Sequence, residues 1–390
     1  MFSFLLAIIY IAFISLGLPD SLLGSGWPVM QAELHTPLSY AGILSMVISA
    51  GTIVSSLRSD YLTRKLGAGL VTAISVGMTA IALFGFSISN SFYILCIWAI
   101  PYGLGAGAVD SALNNYVALH YSSRHMSWLH CFWGVGVTIS PYIMSFCLSR
   151  QYGWRTGYVS VSILQVILTI ILFSTLFLWK GNEKQEGEEI EVRALSVRDA
   201  LKIKGVPFVL AAFFGYCALE TTAGMWATSY LVGYKGINPV TAAKFASLFF
   251  IGITVGRFLN GFVADRFGDR KLIRFGICIM IVGVLMIGLP IKIDVIGLAG
   301  LIVLGFGCAP VYPSIIHATP TNFGKENSQA IVGIQMACAY CGSTFMPPLF
   351  GLIAEHINMG LYPVYLMIFA VLMLVMTETL NRRVSRKITY

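Results

Sequence analysis

Charge is scarce in this chain: Lys, Arg, Asp and Glu make up 11% of its 390 residues, less than half of the roughly 25% found in soluble domains. With 57% of the residues hydrophobic, too little polar surface exists to coat a fold of this length in water. A soluble enzyme or binding domain is excluded. Histidine is sparse too, six in all, and no H-x-x-x-H or comparable ligand cluster occurs, so no metal, no cofactor and no enzymatic activity are expected. The eight cysteines (Cys96, Cys131, Cys147, Cys217, Cys278, Cys308, Cys338 and Cys341) fall inside apolar runs, which excludes a disulfide framework and leaves them as small hydrophobes. Cys338 and Cys341 stand at C-x-x-C spacing within one such run and are assigned no chemistry. Acidic residues number 17 against 25 basic, and the basic excess lies between apolar runs. That is a membrane-topology signal, not a nucleic-acid surface.

What is present is a series of twelve apolar runs, near residues 4–27, 39–58, 68–89, 91–117, 128–149, 156–179, 206–233, 241–264, 272–291, 295–317, 328–353 and 361–380. A helix of about 20 residues at ~1.5 Å rise crosses a ~30 Å hydrocarbon core, so each run is one span. The expected fold is an all-α membrane protein of twelve transmembrane helices in two pseudo-symmetric six-helix bundles. The first run lacks a basic start and a cleavage site, and is expected to be a retained helix. With the N-terminus in the cytoplasm, inner segments carry 19 of the basic residues and outer ones 5, placing both termini inside and the protein in the cell membrane. The long polar segment 180–205 divides the chain into 1–179 and 206–390. Within it, Ser196 to Asp199 has capping-box-like spacing, read either as the start of a short interfacial helix or as part of a solvated tether.

The halves repeat one another. LPDSLLGSGW aligns with ALETTAGMW, setting Asp20 on Glu220 and Gly24 on Gly224 at a spacing of 200. GLGAGAVD (103–110) matches GFGCAPVY (305–312) at 202, Asp60 matches Asp265 at 205, and Gly136 and Pro141 match Gly342 and Pro347 at 206. Four matches in chain order describe parallel repeats related by an axis along the membrane normal.

GFVADRFGDRK (261–271) resembles the G-x-x-x-D-R-x-G-R-R signature of the major facilitator superfamily. The first-half copy, SLRSDYLTRKLG (56–67), keeps Asp60 and the basic pair Arg64 and Lys65, but its glycine comes late. GAGAVDSALNNYVALHY, WLHCFWGVGVTISP, GWR and GCAPVYPSII further resemble the fucose and hexose symporter branch. The resemblance implies a path lined by the first, fourth, fifth, seventh, tenth and eleventh helices, and substrate recognition and proton coupling by carboxylates at Asp20 and Asp110. No basic residue lies in the fourth run, which departs from the drug-exporter branch.

A charge at mid-bilayer costs about 2.5–3.5 kcal/mol on insertion scales, so intramembrane carboxylates are functional candidates. Three stand out: Asp20, Asp110 and Glu220. Gly17, Asp20, Gly24 and Trp27 follow one another at helical spacing, as do Gly103, Gly107, Asp110 and Asn114, then His130, Gly134, Thr138 and Pro141, and in the seventh run Tyr216, Glu220, Ala223 and Trp226. Each set is expected on one helix face. Asp20 and Glu220 are expected around a substrate, with Asp110, Asn114 and His130 as an inner cluster that titrates or gates; a carboxyl group withdrawn from water holds its proton more readily. Proton coupling is thus expected at Asp20, Asp110, Glu220 and His130. Sugars are bound by planar polar groups and aromatic faces, which adds Trp27, Asn115, Trp133, Trp226, Tyr312, Gln335 and Tyr340. Asp60, Arg64, Arg257, Asp265 and Arg266 are expected in a gate, with Arg257 joining Asp265, and His317 is read as structural.

These features point to a secondary transporter, expected to be a monomer, importing a neutral sugar or similar small polar solute with a proton by alternating access. Sodium is the alternative ion, and proton-coupled export of amphipathic metabolites or drugs is the alternative function.

Overall fold

A computed structural model describes residues 4–37, 40–183, 195–237, 239–289 and 294–385. Every regular element among them is helical. In a bilayer a backbone must satisfy its own hydrogen bonds, and the uninterrupted apolar runs do so as helices. In the first half these are α1 (Phe4–Asp20), α2 (Leu22–Glu33), α3 (Tyr40–Leu66), α4 (Ala68–Ile88), α5 (Phe92–His120), α6 (Ser123–Ser149), α7 (Gly153–Ser174) and α8 (Leu176–Glu183). The second half has α9 (Val197–Lys202), α10 (Val206–Gly233), α11 (Pro239–Phe267), α12 (Asp269–Gly288), α13 (Asp294–His317), α14 (Thr319–Phe323), α15 (Lys325–Ile353) and α16 (Tyr362–Ser385). Eleven described stretches are long and apolar enough to cross a membrane; the last, Lys325–Val384, holds both α15 and α16 around a corner of π and 3₁₀ turns at 354–361. The twelve runs are accounted for.

The first run is interrupted. Pro19, which has no backbone N–H, precedes a break at Ser21, whose hydroxyl lies 2.7 Å from Val137 O and 2.6 Å from Ser140 Oγ. Asp20 therefore ends α1, and the residues expected on one stripe from Gly17 to Trp27 differ in their surroundings. Asp20 and Gly24 are exposed, whereas Trp27 is buried among Phe92, Met30 and Leu44.

The described residues form two compact units. Unit 1 runs to Tyr116 and resumes over Leu129–Leu195; unit 2 comprises Val117–Trp128 and the chain from Ser196 onward. The 117–128 segment, drawn from the first half of the sequence, thus packs within unit 2. Unit 1 is centred on Leu22, Phe86, Leu95, Trp154 and Tyr158, and unit 2 on Phe213, Tyr230, Phe249, Phe350 and Tyr362.

The repeat is visible in the packing inside each unit. A Cβ on Gly103 would collide with Ile48 O, and one on Gly305 with Phe249 O; a Cβ on Gly136 would collide with Ile14 O, and one on Gly342 with Phe214 O. Equivalent helix pairs approach at equivalent glycines. The short turns after α3 and α11 repeat as well: Gly67 (φ 78°) and Gly268 (φ 76°) each adopt a conformation that disfavours side chains. Matching these turns corrects the alignment of Asp60 with Asp265. About one extra helical turn separates Asp60 from its glycine, so Asp60 is buried deeper along α3 while Asp265 is exposed at the end of α11.

Of the polar segment, 184–194 lies outside the described residues. Beyond it, Ser196 caps α9 by accepting from Asp199 N at 3.1 Å, so the capping spacing marks a helix of six residues.

Candidate functional site

Unit 1 assembles two polar groups. α1 crosses α6 where Gly17 abuts the backbone of Trp133; one turn later Asp20 meets the indole of that residue. Trp133 Nε1 donates to Asp20 Oδ2 at 2.9 Å, and Tyr102 Oη, from α5, donates to Asp20 Oδ1 at 3.2 Å. Asp20 remains exposed while both oxygens are held. The sequence reasoning missed Tyr102; its spacing of two helical turns from Asp110 on α5 was a usable signal.

The second group is buried. Asn114 Nδ2 donates to Asp110 Oδ1 at 2.8 Å and to Asp110 O at 2.9 Å. Its carbonyl oxygen can only accept, so His130 Nε2, 3.0 Å away, is the donor. Asp110, Asn114 and His130 are 5%, 0% and 5% exposed, and the His130 ring meets Phe13 edge-on at 5.4 Å. His130 and Trp133 lie one turn apart on α6, about 4.5 Å of rise, so α6 carries one member of each group. Asn115, beside Asn114, is buried.

Unit 2 has different chemistry at the matching level. Arg257 Nη2 contacts Glu220 Oε1 at 3.3 Å, with side-chain exposures of 4% and 18%. This corrects the expected pairing of Arg257 with Asp265: Arg257 lies two turns earlier on α11, where α10 packs alongside, and its ion-pair partner is Glu220. Tyr216 donates to Cys308 O at 3.1 Å, and Tyr312 is flanked by the rings of Phe213 and Tyr216 at 4.7 and 5.7 Å.

The other sugar-binding candidates are dispersed. Trp27 is core. Gln335, 0% exposed, accepts from Thr319 Oγ1 at 3.0 Å, tying α15 to α14. Trp226 donates to Pro347 O at 2.9 Å and borders a surface opening of about 370 Å³ with Gly351, Glu355 and Met359. Tyr340, half-buried on α15, accepts from Ser343 Oγ through its carbonyl.

The gate residues divide. Asp60 holds Arg64 Nε at 2.8 Å and Leu195 N at 3.2 Å, within unit 1. Asp265 accepts from Ser122 Oγ and Arg124 N, each at 3.1 Å, capping the start of α6, and Arg124 Nε approaches at 3.2 Å. Arg266 is exposed on the last turn of α11.

Known proteins resemble this arrangement over most of its length. The chain is 24% identical over 385 residues to Bypass of stop codon protein 6 of Saccharomyces cerevisiae, covering 90% of this chain and 77% of that one. It is 21% identical over 313 residues to the glucose/mannose transporter GlcP of Bacillus subtilis, covering 78% and 77%. The solved structure of the E. coli fucose:proton symporter FucP superposes with a TM-score of 0.74 at 18% identity, covering 98% of both chains, and shares the fold. The Major Facilitator Superfamily profile matches residues 9–247 and again 208–380, so this chain belongs to that superfamily of multi-pass membrane transporters.

Proposed function

We propose that the protein imports a neutral sugar or similarly small polar solute together with a proton, by alternating access, working as a monomer in the cell membrane with both termini in the cytoplasm. The observation that carries this reading is the exposed Asp20 carboxylate held by a phenol and an indole. A carboxylate beside an aromatic face is the combination that grips a hydroxyl while covering an apolar ring face. Protonating one Asp20 oxygen would release a donor, Tyr102 or Trp133, to a substrate hydroxyl, which links proton and solute at one residue. Asp110, Asn114 and His130 supply a buried second station one turn along α6. The names carried by GlcP and FucP support the substrate class and the coupling ion, and the basic residues of the sequence support the orientation. Within unit 2, Glu220 is paired with Arg257.

One proton entering down ~100 mV carries about 2.3 kcal/mol, enough for roughly 50-fold accumulation. The test is uptake of labelled hexoses into proteoliposomes with and without an inward proton gradient. A gradient-dependent uptake that collapses in Asp20→Asn and in Asp110→Asn is expected. Uptake of every sugar indifferent to both substitutions refutes the reading, and dependence on sodium in place of the proton refutes its coupling ion.

A further inference from the structure

The segment between α5 and α6 is held in unit 2 by a histidine with no acceptor role left to play. His317, the last residue of α13, has Nδ1 2.7 Å from Asp269 Oδ2 and Nε2 3.0 Å from Tyr121 O. A backbone carbonyl oxygen only accepts, and so does a carboxylate. Both ring nitrogens must therefore carry hydrogen, and the group is an imidazolium. Transferring that hydrogen to Asp269 would leave the count of protons unchanged, and the imidazole is the stronger base of the two. Asp269 is engaged further, accepting from Ser123 Oγ at 2.6 Å through Oδ1. One aspartate at the start of α12 thus bridges His317 and the first residue of α6, while His317 reaches across to the carbonyl just past α5.

We propose that His317 is a proton-operated clasp: charged, it fastens the 117–128 segment to α12 and α13; neutral, it turns a ring lone pair towards an oxygen and lets the segment go. The neighbouring charges do not supply the same device. Asp265, at the end of α11, is satisfied by Ser122 and Arg124. His125 lies between the rings of Tyr121 and Trp128, at 5.7 and 5.8 Å, and senses Asp265 and Arg124. His120 precedes Tyr121 in the segment. Two further fastenings, Asn260 Nδ2 to Ser127 Oγ at 2.7 Å and Trp128 Nε1 to Phe258 O at 3.3 Å, join groups that do not titrate. Since α5 and α6 carry Tyr102, Asp110, Asn114, His130 and Trp133, releasing the turn that joins them gives pH a handle on the polar groups of unit 1, whatever solute they serve.

Amide hydrogen exchange of the full-length protein in lipid nanodiscs tests the clasp. Protection factors of the 119–128 amides, corrected for intrinsic exchange, are expected to fall about tenfold between pH 5.5 and 8, the weight of one hydrogen bond to a charged group. His317→Gln and Asp269→Asn should each abolish the step, and His125→Gln should keep it. ¹⁵N-histidine spectra at pH 5.5 should show one residue protonated at both ring nitrogens that is missing from His317→Gln. A flat wild-type profile, a step that survives His317→Gln or vanishes in His125→Gln, or a singly protonated His317 would overturn the proposal.

Discussion

Replacing Asn114 by leucine cuts a side chain that links Asp110 to His130. The shapes are close and the site is fully buried, so the change acts through polarity more than volume. Three bonds of its side chain are lost, to Asp110 Oδ1 at 2.8 Å, to Asp110 O at 2.9 Å and from His130 Nε2 at 3.0 Å. Inside membrane proteins such bonds average about 0.6 kcal/mol each and reach ~1.7, so the three predict a loss of about 2–5 kcal/mol. The isolated substitution mixes this with repacking, and a double-mutant cycle with His130→Phe separates them. Phenylalanine keeps the edge-on contact with Phe13 and removes only the donor. Both single variants break the Asn114–His130 bond, so the double variant should be less destabilised than the sum by about 0.6–1.7 kcal/mol. Reversible denaturant unfolding in mixed micelles measures all four corners. Additivity within about 0.3 kcal/mol would show that Asn114 and His130 do not share a bond, and the buried second station would lose its physical basis.

Three further outcomes are expected. Gly136→Val should destabilise by at least about 1–3 kcal/mol, because the new side chain meets Ile14 O where α1 crosses α6, whereas Gly24→Ala meets nothing within 4 Å and should be neutral or slightly stabilising; thermal unfolding of the two distinguishes a crossing from mere small-residue preference. Arg257→Leu should cost about 3–5 kcal/mol by leaving Glu220 partly buried without its cation, and adding Glu220→Gln should restore much of that; equal losses in the single and double variants would count against the pair. Glu33, outside the spans, has its carboxyl held below the usual value of 4.5 by the hydrogen bond from Arg155, which also donates to Ser89 O and Asn90 Oδ1 at 3.1 Å. A lowered folded value means this stabilisation is complete above pH 4.5 and fades as pH falls below it; the pair is half exposed, so the melting temperature of wild type should fall only slightly further than that of Glu33→Gln between pH 6 and pH 3.5.

The spans were legible because hydropathy registers length, and the superfamily because the 261–271 turn keeps its signature. Contacts along one helix were legible for the same geometric reason that Asp110 and Asn114 sit at i and i+4. What the pattern does not encode is which neighbouring helix a side chain faces. Arg257 was placed by proximity in sequence to Asp265, yet α10 lies beside it and brings Glu220. Gln335 was legible as a buried amide in need of partners, and Thr319 answers only its oxygen, leaving the buried Nε2 without one. Trp27 was placed on the face of Asp20 by helical counting, which does not register that its ring is taken up by Phe92 and the core of unit 1. Tyr102 was passed over because it is apolar enough to disappear into its run.

The two halves preserve packing and diverge in charge. Gly103 and Gly305, Gly136 and Gly342, and Gly67 and Gly268 fulfil the same steric roles about 200 residues apart, as a repeat must if each half is to close around its own core. The residues at the matching polar positions do not behave alike. Asp20 is exposed and bound by two neutral donors, so gaining a proton costs it no cation partner. Glu220, its sequence counterpart, is instead met by a buried guanidinium, with Arg257 Nη2 at 3.3 Å. The same repeat position therefore sits among different partners, neutral donors in unit 1 and a guanidinium in unit 2. Duplication supplied two equal scaffolds, and the replacement of two neutral donors around one carboxylate by an arginine around the other breaks the repeat in charge while the glycine contacts keep it in packing.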